Sequence, residues 1–485
     1  MVLRISAILR KARNIKNCLA PINQIPPETL ALVAAFLPKE RDLINATAVC
    51  QQWRTTLLSF PRLWCNAGGS PLELEAYLER SRSVPIRVNL SCPKLVVSII
   101  PHTSRIVDLS IWVYNFREFG SFTSSLRHPA PMLRSLEVST INPYMHCLEL
   151  PSGMGENLFL HLKKLRLNGI LSFVGPQTFP HITELSLCTN SGPERSTFAL
   201  LKTLEQLPGL KKIHAVFRSS WHLETYFPDI VTLPCVQEMR LSVPAEDDLE
   251  FSVVIPPILQ YLKLPNLTSL TVDPPSCLLL GSSILPGTSF AEHLPNYVKL
   301  PEVRVDTTTP SGKIVFRSPS QAVITFHTRA LTSYKRESRL WEGLPVSSVR
   351  RVTAVLVGPE SGSEDGWLVD MFTELNFLEL LELGGNCGWV LRRLRRRMVR
   401  GAMQLDIQTL IVRGGEYAKS QALKLESVKG NLGLQNMTVT YIRDPEAQEW
   451  LSQDPDAESS SDDETREEDS SGGSDDSDGG DESDE

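Results

Sequence analysis

Leu162-Lys163-Lys164-Leu165-Arg166-Leu167-Asn168 holds three leucines, spaced three and then two residues apart. On an extended chain the last two point to one face, and Arg166 between them points to the other. The first leucine tucks in from the approaching loop. The pattern apolar-x-x-apolar-x-apolar recurs at Ile106/Leu109/Ile111, Leu133/Leu136/Val138, Ile182/Leu185/Leu187, Leu210/Ile213/Ala215 and Val236/Met239/Leu241. It continues at Leu267/Leu270/Val272, Leu300/Val303/Val305, Val349/Val352/Ala354, Leu378/Leu381/Leu383, Ile407/Leu410/Val412 and Leu434/Met437/Val439. Successive copies start 27, 29, 20, 28, 26, 31, 33, 49, 29, 29 and 27 residues apart. One copy cannot close a core alone, but stacked copies share one.

Between the copies, apolar residues take helical spacing. Phe198, Leu201, Leu204 and Leu207 share a face, as do Leu368, Met371, Phe372 and Leu375. So do Leu391, Leu394 and Met398, and then Ala418, Ala422, Leu425 and Val428. Strand, helix, strand at this interval predicts an α/β fold with parallel strands and right-handed crossovers. Pro85 to Ser91 reads as the first strand, after a helix from Pro71 to about Ser81. The 49-residue interval marks an irregularity. There Lys313–Phe316 and Val323–Phe326 are two β-rich runs, and a hairpin is expected near residues 310–328.

The 485 residues carry 49 Lys+Arg against 56 Asp+Glu, a formal charge of −7. From Asp454 onward stand 16 acids and one base, Arg466, so the remainder of the chain is net +8. The stretch 452–485 is mostly Ser, Asp, Glu and Gly with no aromatic residue, and is expected to be disordered. Ser459, Ser460 and Ser461 each precede an acid by three residues, a pattern for an acid-directed kinase. At the other end, Met1 to Ala20 has five basic residues and no acid, with apolar residues near one helical face. Two readings stand for residues 1–21: a basic amphipathic extension, or a mitochondrial import helix within residues 1–20. The nine cysteines are scattered, with no C-x-x-C pair, which suits reduced thiols in the cytoplasm or nucleus. No apolar run approaches the roughly 18 residues of a membrane helix, so no membrane association is expected.

Residues 22–64 read as three short helices. Ile25-Pro26-Pro27-Glu28 is a helix start, with proline in the first turn and Glu28 complementing the dipole. Leu30, Val33, Ala34 and Leu37 then form one apolar face, and Pro38 stops the helix. Asp42 is placed to cap the next helix, and Leu43, Ala46, Val49, Cys50, Trp53 and Leu57 continue the spacing. The segment holds more apolar residues than three small helices can hide, which points to an interaction face.

Ile25-Pro26-x-Glu28, Leu30, Leu37-Pro38, Asp42-Leu43, Ala48-Val49-Cys50-x-x-Trp53-Arg54 and Pro61-x-Leu63-Trp64 resemble the F-box motif, over residues 22–68. The resemblance implies binding to the Skp-type adaptor of a cullin–RING ubiquitin ligase. It places Ile25, Pro26, Leu30, Leu37, Pro38, Leu43, Val49 and Cys50 at the adaptor, and Trp53, Leu63 and Trp64 in the core of the module. Ile25 departs from the commoner leucine. Residues 69–451 resemble the irregular leucine-rich-repeat solenoids that follow the F-box in many fungal-type F-box proteins. They lack a regular asparagine ladder, although Asn168, Asn190 and Asn386 come near one. Together the resemblances imply a non-catalytic substrate-recognition subunit that brings an unknown protein target to the ligase. The alternative is an interaction scaffold that uses the same helices without ubiquitylation.

Chemistry-bearing motifs are missing from the sequence: there is no G-x-S-x-G, H-E-x-x-H or G-x-x-x-x-G-K-[ST]. His146 and Cys147 are adjacent but lack further ligands at metal spacing, so neither a metal nor a cofactor is expected. Arg392, Arg393, Arg395, Arg396, Arg397 and Arg400 crowd one expected helix and read as its solvated face. Nuclear import, an acidic partner or the acidic tail are the other readings; nucleic acid is disfavoured for want of stacking aromatics. Target-reading positions on the exposed strand face would include Glu137, Arg166, Ser186, Arg240 and Thr271.

Overall fold

A three-then-two apolar spacing satisfies a strand that has one face on a core and one in water, and this is how the copies fold. The computed structural model describes residues 5–6, 11–12, 20–37, 40–115, 118, 130–140, 147–149, 161–169, 172–174, 181–188, 197–216, 230–242, 258–273, 294–297, 302–306, 312–328, 348–356, 375, 377–385, 387–399, 406–430 and 435–443. Most of the basic N-terminal stretch, Pro38, the helix expected around Leu368–Phe372, Asn190, Asn386, Arg400 and the acidic tail lie outside them. The chain parts into residues 1–448 and 449–485, and everything described belongs to the first.

From the N-terminus, a 3-10 turn (Pro21–Gln24) leads to helices α1 (Pro27–Ala35), α2 (Glu40–Ala46) and α3 (Gln51–Ser59), then a second 3-10 turn (Pro61–Trp64). Strand β1 (Asn66–Ala67), helix α4 (Pro71–Arg80), strand β2 (Ile86–Leu90), helix α5 (Val96–Ile99) and strand β3 (Ile106–Trp112) follow. Next come β4 (Ser135–Ser139), β5 (Lys164–Asn168), β6 (Glu184–Cys188), helix α6 (Thr197–Glu205), β7 (Lys212–Val216), β8 (Glu238–Ser242) and β9 (Ser269–Asp273). Strands β10 (Glu302–Asp306), β11 (Gly312–Arg317) and β12 (Val323–Thr328) precede β13 (Arg351–Leu356) and β14 (Phe377–Gly385). Helix α7 (Gly388–Val399), β15 (Asp406–Gly414), helix α8 (Glu416–Val428) and β16 (Thr438–Arg443) end the described chain.

These sixteen strands form one sheet in the order β1 to β9, then β12, β11, β10, then β13 to β16. Two small parallel pairs stand apart: Cys147–Glu149 with Ser172–Val174, and Val231–Thr232 with Leu262–Lys263. The fold is mixed α/β and its large sheet is mostly parallel, because each strand pairs with the next copy in register. Leu136, Leu165, Leu185, Ile213, Met239 and Leu270 lie directly opposite one another on successive strands. Each is at most 3% exposed. A buried leucine contributes about 1.5–3 kcal/mol, so every strand depends on the neighbour that completes its burial.

The parallel order is interrupted at one place, where the hairpin was expected. β11 runs antiparallel to both β10 and β12, and the returning β12, not β10, pairs with β9. The expected hairpin is therefore present, closed by a turn in which Ser318 N donates to Ala322 O at 2.8 Å and Gln321 takes a φ of +64°. It inserts two strands between β9 and β10.

Helix α4 fills its expected range. Ser70 Oγ accepts from Glu73 N, and Glu73 Oε2 accepts from Ser70 N, which satisfies two donors of the first turn. At the other end Arg105 is buried; it donates from Nη2 to Leu78 O (2.6 Å) and from Nη1 to Ser81 Oγ (2.8 Å) and Val84 O (3.0 Å). A cation thus neutralises the helix C-terminus and ties it to the start of β3. The core is continuous from Leu30 in α1 through Trp64 and Tyr77 to Met437 before β16.

Candidate functional site

Two exposed surfaces are built by this fold. The first lies on the helices before the sheet. Pro27 sits in the first turn of α1 and Glu28 follows it, as the sequence indicated. Asp42 does not cap α2; it lies inside that helix, which begins at Glu40. The apolar run from Leu43 to Leu57 spans two helices, because Thr47–Cys50 turns and Cys50 is extended. Arg54 Nε closes that corner on Thr47 O at 3.0 Å. Trp53 Nε1 donates to Asn23 Oδ1 at 2.7 Å and Gln52 Nε2 to Asn23 O at 2.6 Å, so the first 3-10 turn is held against α3. Trp64 is fully buried, donates from Nε1 to Leu57 O at 3.0 Å, meets Tyr77 edge-on and lies under the Arg80 guanidinium.

The residues expected at a partner surface divide. Leu30 and Leu43 face inward and are 2% and 5% exposed, so both belong to the core and not to a surface. Ile25, Trp53 and Leu63 are partly buried and pack against the same core. Cys50 is half-buried, with Sγ 3.9 Å from Asn23 Oδ1. Pro26 is exposed, as are Leu37 and Val49. Pro38 lies outside the described residues. Leu32 and Phe36, outside the expected apolar face, are exposed too, and Val33 parts from Leu30 and Ala34, with which it was expected to share a face. Leu32, Val33 and Leu37 are open to solvent and Phe36 is 85% exposed. Positions 32, 33 and 36 recur at one and four residues, so they share one side of α1, opposite Leu30, Ala31 and Ala34. The helix is apolar on both sides, and one side has no cover within the described residues.

The second surface is the face of the sheet opposite the core. Its rows follow the strand register. Arg87 lies opposite Asp108, Glu137 opposite Arg166, Lys164 opposite Glu184 and Lys212 opposite Glu238. Ion pairs span these positions at 3.0, 3.9, 2.7 and 2.6 Å in that order. Diagonal pairs join Arg240 to Asp273 (2.8 Å) and Glu382 to Arg413 (2.6 Å). Exposed pairs of this kind contribute at most about 1 kcal/mol each; their effect is to fix where charges stand. Glu137, Arg166, Ser186, Arg240 and Thr271 all lie on this face, in one row. Asn168 does not build an asparagine ladder, for its Nδ2 donates to Glu137 Oε1 and Ser139 Oγ on β4. Asn266 and Asn296, not singled out in the sequence, each donate to carbonyls of the preceding copy, Pro234 O for one and Pro265 O and Leu267 O for the other. Both follow a Leu-Pro pair, which was the available signal.

Two adjoining hollows of about 490 Å³ each open on this face and share Glu137, Lys164 and Arg166. One extends over β1 to β5, the other over β4 to β8. His214 lies in the second. Burial, and then Arg240, hold it below the ordinary histidine range; Asp273 opposes them and Arg166 adds to the lowering.

The arginine-rich helix α7 buries Leu391, Leu394 and Met398 as expected. Its arginines are not all a solvated face: Arg392, Arg393 and Arg395 are half-buried, and Arg393 lies over the Trp389 ring at 5.8 Å, while Arg396 is exposed. Among the described residues, no group of three or more His, Cys, Asp or Glu converges as a metal cluster would. No described helix is long and apolar enough to cross a membrane. No family model and no curated protein matches the chain.

Proposed function

We propose that the chain is a substrate-recognition subunit of an SCF-type ubiquitin ligase. In this reading residues 22–68 are an F-box that holds a Skp-type adaptor, and the strands from residue 69 onward are a leucine-rich-repeat-like solenoid that holds a protein target. The observation that supports it most is the bare apolar side of α1. Leu32, Val33, Phe36 and Leu37, with Val49 from the corner after α2, expose large apolar side chains on a helical module whose other side is packed. Patches of this kind mark protein contacts. The F-box resemblance supplies the partner's class.

No bond is made or broken by this chain in that role. Its contribution is proximity: a tethered target meets the ubiquitin carrier at a high effective concentration. The adaptor contacts are reassigned from the motif positions Leu30 and Leu43, which are core, to the exposed set with Pro26, Leu37 and Val49. The scaffold reading differs only in what else is recruited. Affinity capture of the full chain from cells, with adaptor and cullin both quantified, separates the two. Cullin in proportion to adaptor supports the ligase subunit; adaptor without cullin supports the scaffold.

A further inference from the structure

On the polar face of the sheet, Arg166, Ser186, His214 and Arg240 stand side by side on β5, β6, β7 and β8, in register. Adjacent strands lie about 4.8 Å apart. The small Ser186 forms a dip with a guanidinium on one side and an imidazole on the other, inside the second hollow. Donors converge there. The described ion pair of Arg166, to Glu137, is 3.9 Å long, beyond hydrogen-bond range. Glu137 instead accepts from Asn168 at 2.9 Å. Asp273 accepts from Ser242 and Arg240 at 2.7 and 2.9 Å. Lys164 and Lys212 are drawn to Glu184 and Glu238. The carboxylates of the rim thus have partners of their own, and Arg166, held to Glu137 only by that long pair, lines the hollow.

The geometry points to a seat for one carboxylate side chain of an acidic peptide segment, lodged over Ser186 between Arg166 and His214. The guanidinium, the serine hydroxyl and a ring N–H of histidine would each donate to its oxygens. Glu137 and Glu184 flank the seat, so a single negative charge fits and a doubly charged phosphoryl group meets repulsion. An open hollow of about 490 Å³ accommodates the acidic residue with its immediate neighbours in extended chain. That this segment belongs to a ligase target rests on the receptor reading; the seat itself does not.

A library of random twelve-residue peptides displayed on phage, panned directly on the full chain, tests it. Retained peptides are expected to share Asp or Glu at one position. In a synthetic copy, Glu→Gln at that position should weaken binding about tenfold, as loss of one charge-assisted contact would. Arg166→Glu in the chain should weaken the acidic peptide at least as much and admit its Lys counterpart, while Arg351→Glu, which breaks the 3.6 Å pair with Glu379 outside the hollow, should change nothing. Arg166 is 56% exposed at its side chain, so the substitution leaves the core intact. The seat is overturned if no peptide is retained, if retained peptides share no acidic position, or if Arg166→Glu has no effect. A phosphoserine copy that binds more than about tenfold tighter than the Glu peptide also overturns it. The adaptor is absent from this measurement, so failure of the receptor reading would leave its outcome unchanged.

Discussion

Single residues carry more here than their number suggests. Trp64 joins the helical module to the sheet: its ring contacts Tyr77 at 5.0 Å between centroids, and its N–H closes the end of α3 on Leu57 O. Trp64→Ala should cost about 3–5 kcal/mol in urea unfolding. Trp64→Phe should cost about 0.5–1.5 kcal/mol, since the Leu57 carbonyl loses the indole N–H and keeps only the longer bond from Phe60 N at 3.4 Å. Two histidines set a pH response. His102 and His214 are both held below the ordinary range, by burial first, and then by Arg105 for His102 and Arg240 for His214. The unfolded chain therefore takes up these protons at a higher pH than the folded one. Stability present above about pH 6.5 should fall as the pH drops through that value. A His102→Asn, His214→Asn variant should show a shallower decline in melting temperature on acidification; an equal decline would assign the effect to other groups. Among the thiols, burial pushes Cys387 up to about 12, whereas Cys235 is exposed. Iodoacetamide should label Cys235 in the folded chain and spare Cys387.

At the scale of elements, tight strand ends constrain substitution. Gly385 ends β14 with a φ of +70°, and a Cβ there would collide with the Leu356 carbonyl. Gly385→Ala should therefore lower stability by about 1–3 kcal/mol in thermal melting; an unchanged midpoint would show that the neighbouring strand yields. Strand existence was legible from Leu162-Lys163-Lys164-Leu165-Arg166-Leu167 and its copies, because alternation writes burial directly into sequence. The partner of each strand was legible only where copies follow one another. The crossing of β12 over to β9 was not, since local alternation does not say which neighbour completes a ladder. The same limit applied to α1. With every residue from 30 to 37 apolar, periodicity alone cannot orient the helix. Only packing against Leu57 and Trp64 selects Leu30 and Ala34 for the inside and leaves Phe36 out.

For the whole molecule, the described architecture is one long, mostly parallel sheet whose apolar face is continuous with the core of the preceding helices. A bare apolar patch lies near the N-terminal end, and a laddered, charged face runs along the strands. A tether for a partner and a surface for a target are the uses that such a division supports. The direct test is binding of a purified Skp-type adaptor to the full chain and to a Leu32→Asp, Phe36→Asp variant, followed by calorimetry. Both side chains are exposed, so the variant should keep the parent's melting temperature within a few degrees. A stoichiometric complex with the parent chain is expected, with a loss of at least about a hundredfold in affinity for the variant. No binding by the parent, or equal binding by a folded variant, would contradict it.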